Sequence, residues 1–154
     1  MTQTSQTQPL LDVQNLSVSF TQYTTGMRQH QLEVITDLSI AIEAGKIVAV
    51  VGSSGSGKSL LAHAILGILP SNAKVAGTMR YDGSELTAQR QVALRGKEIT
   101  IIPQSVNFLD PLMQVGPQVR HAVQQGDPKT EQRRVFARYQ LAADVEKLYP
   151  FQVS

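Results

Sequence analysis

The sequence has no cysteine and no tryptophan, and its aromatic residues are only four Tyr and four Phe in 154 positions. Without cysteine there is no disulfide and no thiolate metal site, which is compatible with a reducing compartment. Excess charge is scarce too. Fourteen Lys and Arg face twelve Asp and Glu, leaving a formal net charge of +2, and the basic residues are scattered apart from pairs such as Arg133 and Arg134. The pI near 9.0 is therefore weak evidence for a nucleic-acid partner, and none is expected. No apolar run approaches the roughly 20 residues that span a bilayer. Residues 1–9, MTQTSQTQP, carry neither the basic segment nor the apolar core of a signal peptide. The expectation is a cytoplasmic chain with a disordered lead-in over 1–9, long enough beyond it for one domain with a real core.

What is present concentrates at Gly52 to Ser59, GSSGSGKS, which fits GxxxxGK[ST] with Gly52, Gly57, Lys58 and Ser59 at the defined positions. This is the Walker A, or P-loop, pattern. A triphosphate needs many donors aimed at one small volume, and backbone amides in a tight loop supply them where glycine lets the backbone approach. The loop residues Gly52, Ser53, Ser54, Gly55, Ser56 and Gly57, with Lys58, Ser59 and Leu60 opening the helix, are the candidate ATP site. Lys58 would reach the β- and γ-phosphates, Ser59 would ligate Mg²⁺, and the helix N-terminus would face the anion. Context supports the pattern. Ile47 to Val51 is a short run suited to a buried parallel strand, preceded by a turn at Gly45, and Leu60, Leu61, Ala64, Ile65, Leu66, Ile68 and Leu69 predict an apolar helix that stops at Pro70.

The rest of the chain alternates between strand and helix signals. Leu11 and Val13, then Leu16, Val18 and Phe20, alternate in two phases that shift at Gln14 and Asn15, which predicts a strand with a bulge or turn. Thr21 to Gln31 is polar and reads as a loop, after which Leu38, Ile40 and Ile42 alternate again. Val75, Met79 and Tyr81, closed by Asp82-Gly83, predict a further strand. Gln89 to Gly96 reads as a short helix and Ile99 to Ile102 as a second buried parallel strand ending at Pro103 and Gln104. Helices are expected near Val115 to Gln125 and Lys129 to Gln140, with Val135, Phe136 and Tyr139 sharing a face of the latter. Neither DxxG nor NKxD occurs, which argues against a GTPase.

Several segments in order resemble the ATP-binding cassette of ABC transporters, and specifically the ATPase subunits of the oligopeptide and nickel import family. LLDVQNLSVSF at 10–20 looks like that family's opening strand, and GKIVAVVGSSGSGKSLLAHAILGILP at 45–70 is similar throughout, although Ser53 stands where the family usually has an acidic residue. AGTMRYDG at 76–83, LRGKEITIIPQ at 94–104, DPLMQVGPQV at 110–119 and LYPFQVS at 148–154 also resemble family segments. The fold implied is α/β: a P-loop NTPase core with a parallel sheet, a flanking antiparallel ribbon and the start of a helical subdomain. Residues 10–104 would form the nucleotide-binding core, and 105–154 the Q-loop and a helical subdomain running as far as the signature motif.

The resemblance also assigns roles. Gln104 would be the Q-loop glutamine, touching Mg²⁺ and the attacking water and sensing the membrane subunit; its neighbours Pro103, Ser105 and Val106 depart from the family's Phe, Asp and Pro. Phe20, with Tyr23 as the alternative, would stack on adenine. Ser154 would open the signature helix, and Phe108 to Val119 resembles the surface that receives a coupling helix. The remaining signature glycines, the Walker B aspartate, the catalytic glutamate and the switch histidine would lie beyond Ser154, so residues 1–154 are expected to bind nucleotide without turning it over. The implied partners are transmembrane permease subunits, a second ATPase subunit and, indirectly, a solute-binding protein, at the cytoplasmic face of the membrane. LYPFQVS and GSSGSGKSL lean toward the nickel branch, with oligopeptide import close beside it. His30, His63 and His121 are far apart in sequence and are not expected to bind metal. The alternatives are a cassette acting on DNA or the ribosome, and a nucleotide-binding fragment without turnover.

Overall fold

The computed structural model describes residues 8–24, 28–103 and 108–153. Most of the expected lead-in, together with Gln104 and Ser154, lies outside that set. The chain divides into two compact units, residues 1–101 and 102–154.

The first unit is built on a four-stranded antiparallel sheet in the order β2-β1-β3-β4, formed by β1 (Leu11–Thr24), β2 (Arg28–Ile42), β3 (Ala73–Tyr81) and β4 (Ser84–Glu85). The phase shift read at Gln14 and Asn15 is a bulge. The register of β1 against β2 slips between Val13 and Leu16, and Asn15 sits at φ 51° opposite Asp37, also at φ 51°. Where the ladder breaks, polar side chains take over its donors. The Asn15 amide N–H donates to Ser39 Oγ at 2.9 Å, the Asp37 N–H donates to Ser17 Oγ at 3.0 Å, and Asn15 Nδ2 donates to Asp37 Oδ1 at 2.6 Å. The slip lets Val13, Leu16 and Val18 all face inward, so the bulge keeps the hydrophobic set on one side.

Against that face packs α1 (Lys58–Leu66), whose Leu61 and Ala64 join Val13, Leu16, Val18 and Ile35 in one core. The helix ends before the expected Pro70. Gly67 adopts φ 65°, ψ 37°, its N–H bonds the Ala64 carbonyl and the Ile68 N–H bonds that of His63, closing the last turn with a left-handed residue. A second helix, α2 (Ala88–Leu94), is capped by Thr87 and packs near the end of α1.

Two expectations fail against the structure. Thr21 to Gln31 is not a loop: β1 runs on to Thr24 and β2 starts at Arg28, with Gln22 paired to His30. The two parallel strands are not formed either. Among the described residues, 47–51 and 100–103 carry no strand pairing, and the one parallel bridge is the local Arg95–Ile99 contact. A buried parallel strand needs bonded neighbours and covered faces. Among the described residues neither run has them, and Ile47, Val51 and Ile102 are 101%, 92% and 90% exposed.

The second unit contains α3 (Val115–His121), α4 (Pro128–Arg138) and two 3-10 turns, Ala143–Lys147 and Pro150–Gln152. Val115, Phe136 and Pro150 are among its buried apolar residues, and the Val115 N–H bonds the Leu148 carbonyl at 2.9 Å. Of the face expected on α4, Phe136 is buried and Val135 half-buried, while Tyr139 is exposed. Asp127 caps α4 and Pro128 occupies its first turn, where a missing N–H costs nothing. Among the described residues no helix is long and apolar enough to cross a membrane.

Candidate functional site

The loop Gly52–Gly57 delivers the chain into α1 at Gly57, which sits at φ 88°. Only glycine fits there: besides the positive φ, a Cβ would lie 3.0 Å from Ile35 Cγ1 and 3.3 Å from the Val34 carbonyl oxygen. Loop and sheet therefore touch at Gly57, which anchors the start of the helix on β2. No side chain caps this N-terminus. The amides of the first turn and the positive end of the helix dipole are left for solvent or an anion.

Lys58 curls back over the loop. Its Nζ donates to the Gly52 carbonyl at 2.8 Å, the Ser53 carbonyl at 2.6 Å and Ser56 Oγ at 3.3 Å. The Ser56 N–H closes a turn onto the Ser53 carbonyl at 3.3 Å. All three lysine contacts are exposed and made to neutral oxygens, and among the described residues the ammonium makes no salt bridge. A charged donor in that position is available to a stronger acceptor. Gly52 keeps the loop open, because a Cβ there would come within 2.7 Å of Ser56 Oγ.

Beside the loop lies a cleft of about 390 Å³. Of the residues expected in the site, Gly52, Ser53, Ser56, Gly57 and Lys58 line it, whereas Ser54, Gly55, Ser59 and Leu60 do not. Ser59 is exposed on the first turn and Leu60 packs against the core. Phe20 sits on β1 partly buried against the core and does not line the cleft; the Tyr23 side chain and Gln104 are outside the described residues. Val50 and Val51 form one wall and Val34, Ile35 and Thr36 of β2 the other. The β2 wall was not expected from the sequence, although the β-branched run Val34-Ile35-Thr36 was a signal for it. His30, His63 and His121 fall on β2, α1 and α3, and no metal-ligating cluster is found among the described residues.

The donor set fits a phosphate chain. It consists of an uncapped helix N-terminus, a flexible cation at Lys58 and a loop whose first glycine holds space that a side chain would fill.

Comparison with known proteins agrees with that geometry. The family profile described as ABC transporter matches residues 35–151. An oligopeptide transport ATP-binding protein OppD of Mycobacterium tuberculosis is 38% identical over 125 residues, 79% of this chain and 20% of its own length. The OppD proteins of Haemophilus influenzae and Escherichia coli are 36% and 33% identical over 75% and 74% of this chain, and 36% and 34% of theirs. The chain thus spans about a fifth to a third of these relatives. Among solved structures, a dimeric ATP-binding cassette in a post-hydrolysis state, bound to ADP and Pi, shares the fold with a TM-score of 0.72. It is 19% identical, and the match covers 94% of this chain and 63% of that one. Because the matched profile takes in Ile35 and Thr36 of the β2 wall, the P-loop and most of the helical unit in one continuous span, the chain is a member of the ABC transporter family.

Proposed function

We propose that this chain is the nucleotide-binding part of an ATPase subunit that powers ABC-type import of oligopeptides. The observation that carries the reading is the Lys58 ammonium held at the uncapped α1 N-terminus by neutral oxygens, with no salt bridge among the described residues. The solute follows from the relatives, which are oligopeptide transport proteins by name. Nickel import, toward which LYPFQVS and GSSGSGKSL lean, is the alternative solute.

In this reading Lys58 exchanges the Gly52 and Ser53 carbonyls for β- and γ-phosphate oxygens, and the loop amides hold the leaving group. The Ser59 hydroxyl and Gln104 would hold Mg²⁺, and Gln104 would orient the attacking water. When bound, Mg²⁺ would supply positive charge that offsets the charge of the phosphates. Phe20 or Tyr23 stacks on the base. The partners are membrane-embedded permease subunits and a second cassette, which places the protein at the cytoplasmic face of the membrane. Phe108 and Leu112, both exposed, belong to the segment that meets the permease.

The test is titration of purified residues 1–154 with a fluorescent ATP analogue and Mg²⁺. Saturable binding that Lys58→Ala weakens by about tenfold or more supports the reading. Binding that is absent, or indifferent to Lys58, overturns it. No turnover is expected from this polypeptide, and hydrolysis lost in Lys58→Ala would contradict that.

A further inference from the structure

The second unit holds a polar cleft of about 270 Å³ that the nucleotide reading does not use. Its lining includes Arg120, Lys129, Gln132, Arg133, Glu146 and Lys147. At its base Gln132, 2% exposed, is clamped at both ends. Its Oε1 accepts from Arg120 Nη1 at 2.5 Å, and its Nε2 donates to Glu146 Oε2 at 2.9 Å. Arg120 and Glu146 also form an ion pair at 3.6 Å. The single carboxylate of the cleft is thereby committed to groups already in place.

Lys129, Arg133 and Lys147 are then left over. All three are exposed, and among the described residues none makes a salt bridge. Asp127, beside Lys129 and Arg133 in charge terms, does not line the cleft, and its Oδ2 is held by the Thr130 N–H and hydroxyl. Four cations against one carboxylate give the lining a formal charge of +3. Like charges gathered around a concavity repel one another and concentrate anions there. The chemistry of the wall narrows the ligand. Lys129 and Lys147 act as movable point charges and Arg133 as a planar fork, beside an Arg120 already tied to Gln132 and Glu146, a combination suited to a compact oxyanion. No aromatic residue lines the cleft, so it offers no platform for a base.

We propose that this cleft is a second anion site, separate from the P-loop, that binds a phosphate-class oxyanion. The probe is inorganic phosphate, titrated at constant ionic strength into ¹⁵N-labelled residues 1–154 carrying Lys58→Ala, so that the P-loop contributes least. The expected result is a saturable shift of the Gln132 side-chain amide and of the Arg120 Nε–H. Arg133→Glu with Lys147→Glu raises the dissociation constant by about tenfold or more, the scale of losing charge-assisted hydrogen bonds. Arg134→Glu, which alters a cation outside the cleft already paired to Glu131, leaves it unchanged. If the double reversal disturbs the circular dichroism spectrum, the neutral variants Lys129→Gln and Lys147→Gln replace it, each expected to weaken binding. Shifts that chloride reproduces, that rise without saturating, or that survive loss of these cations overturn the proposal.

Discussion

The side-chain amide of Gln91 on α2 donates to the carbonyl oxygen of Ala64 on α1 at 2.9 Å, across 27 positions of sequence. It also reaches the Ile65 carbonyl at 3.1 Å, and Arg95 Nη2 takes that of Leu66 at 2.7 Å. These belong to the last turn of α1, whose carbonyls have few partners inside the helix. The helix that presents its N-terminus to the loop is therefore tied down at its other end by side chains. Gln91→Ala leaves part of that bonding unmade in a site closed to water. The expected cost is about 1–3 kcal/mol, seen as a lower urea midpoint with unchanged slope. Gln91→Glu, which has no N–H to give at neutral pH, is expected to lose at least as much. Wild-type midpoints in both would show that Gly67 ends the helix unaided.

Gly67 and Gln91 should be coupled. A Cβ on Gly67 would collide with the Gln91 amide oxygen, and φ 65° is strained for any side chain. The φ term alone is about 1 kcal/mol. Displacing Gln91 adds to it only while Gln91 is there. Gly67→Ala is therefore expected to cost more in the wild-type background than in Gln91→Ala, with a coupling of roughly 0.5–3 kcal/mol in a double-mutant cycle. Strict additivity would separate the two effects and refute the shared contact.

A pH effect is expected at α4. The Asp127 carboxylate accepts from the Thr130 hydroxyl at 2.7 Å and the Thr130 N–H at 2.8 Å, and these bonds, helped by Lys129 and Arg133, hold its pKa below the ordinary 3.8 against a small desolvation. A folded-state value below the unfolded one means that the unfolded chain binds the proton more readily. The cap's contribution is present above the unfolded pKa and is lost as pH falls through the folded one. Carboxyl ¹³C titration should give a midpoint below 3.8. Because the hydroxyl bond is the largest cause, Thr130→Val should move that midpoint upward, and no movement would remove the hydroxyl from the account.

How far the sequence carried the fold depended on what decides each element. The P-loop was legible because its glycines and lysine have a chemical reason at fixed spacing. The β1 bulge was legible because a period-2 pattern changes phase when one left-handed residue is inserted, and Asn15 is such a residue. The first half of β2 was not. Gln31, Leu32 and Glu33 lie exposed on an edge strand, so no alternation marks them, and their place comes from pairing with β1. The wall of the cleft on β2 went unread although Val34-Ile35-Thr36 is a β-branched run, because its place beside the loop comes from tertiary contact with Gly57. Residues 47–51 and 99–102 failed in the opposite way. Their composition suits burial in a sheet, but composition does not supply the neighbouring strands that burial requires.

Those two runs lead to the last prediction. Ile47 and Ile102 are almost wholly exposed, and the first belongs to IVAV, a β-branched, uncharged stretch with no proline. Unpaired segments of that kind offer bare backbone and apolar surface to another chain. Residues 1–154 should therefore bind a hydrophobic dye and self-associate with rising concentration. A lysine at each position blunts the run without removing a buried contact. Ile47→Lys with Ile102→Lys is expected to lower dye fluorescence and raise the monomer fraction in sedimentation, with stability unchanged to within about 0.5 kcal/mol. A loss above roughly 1 kcal/mol would instead place these isoleucines in a packed interior, because burying an unpaired ammonium is what such a cost reports.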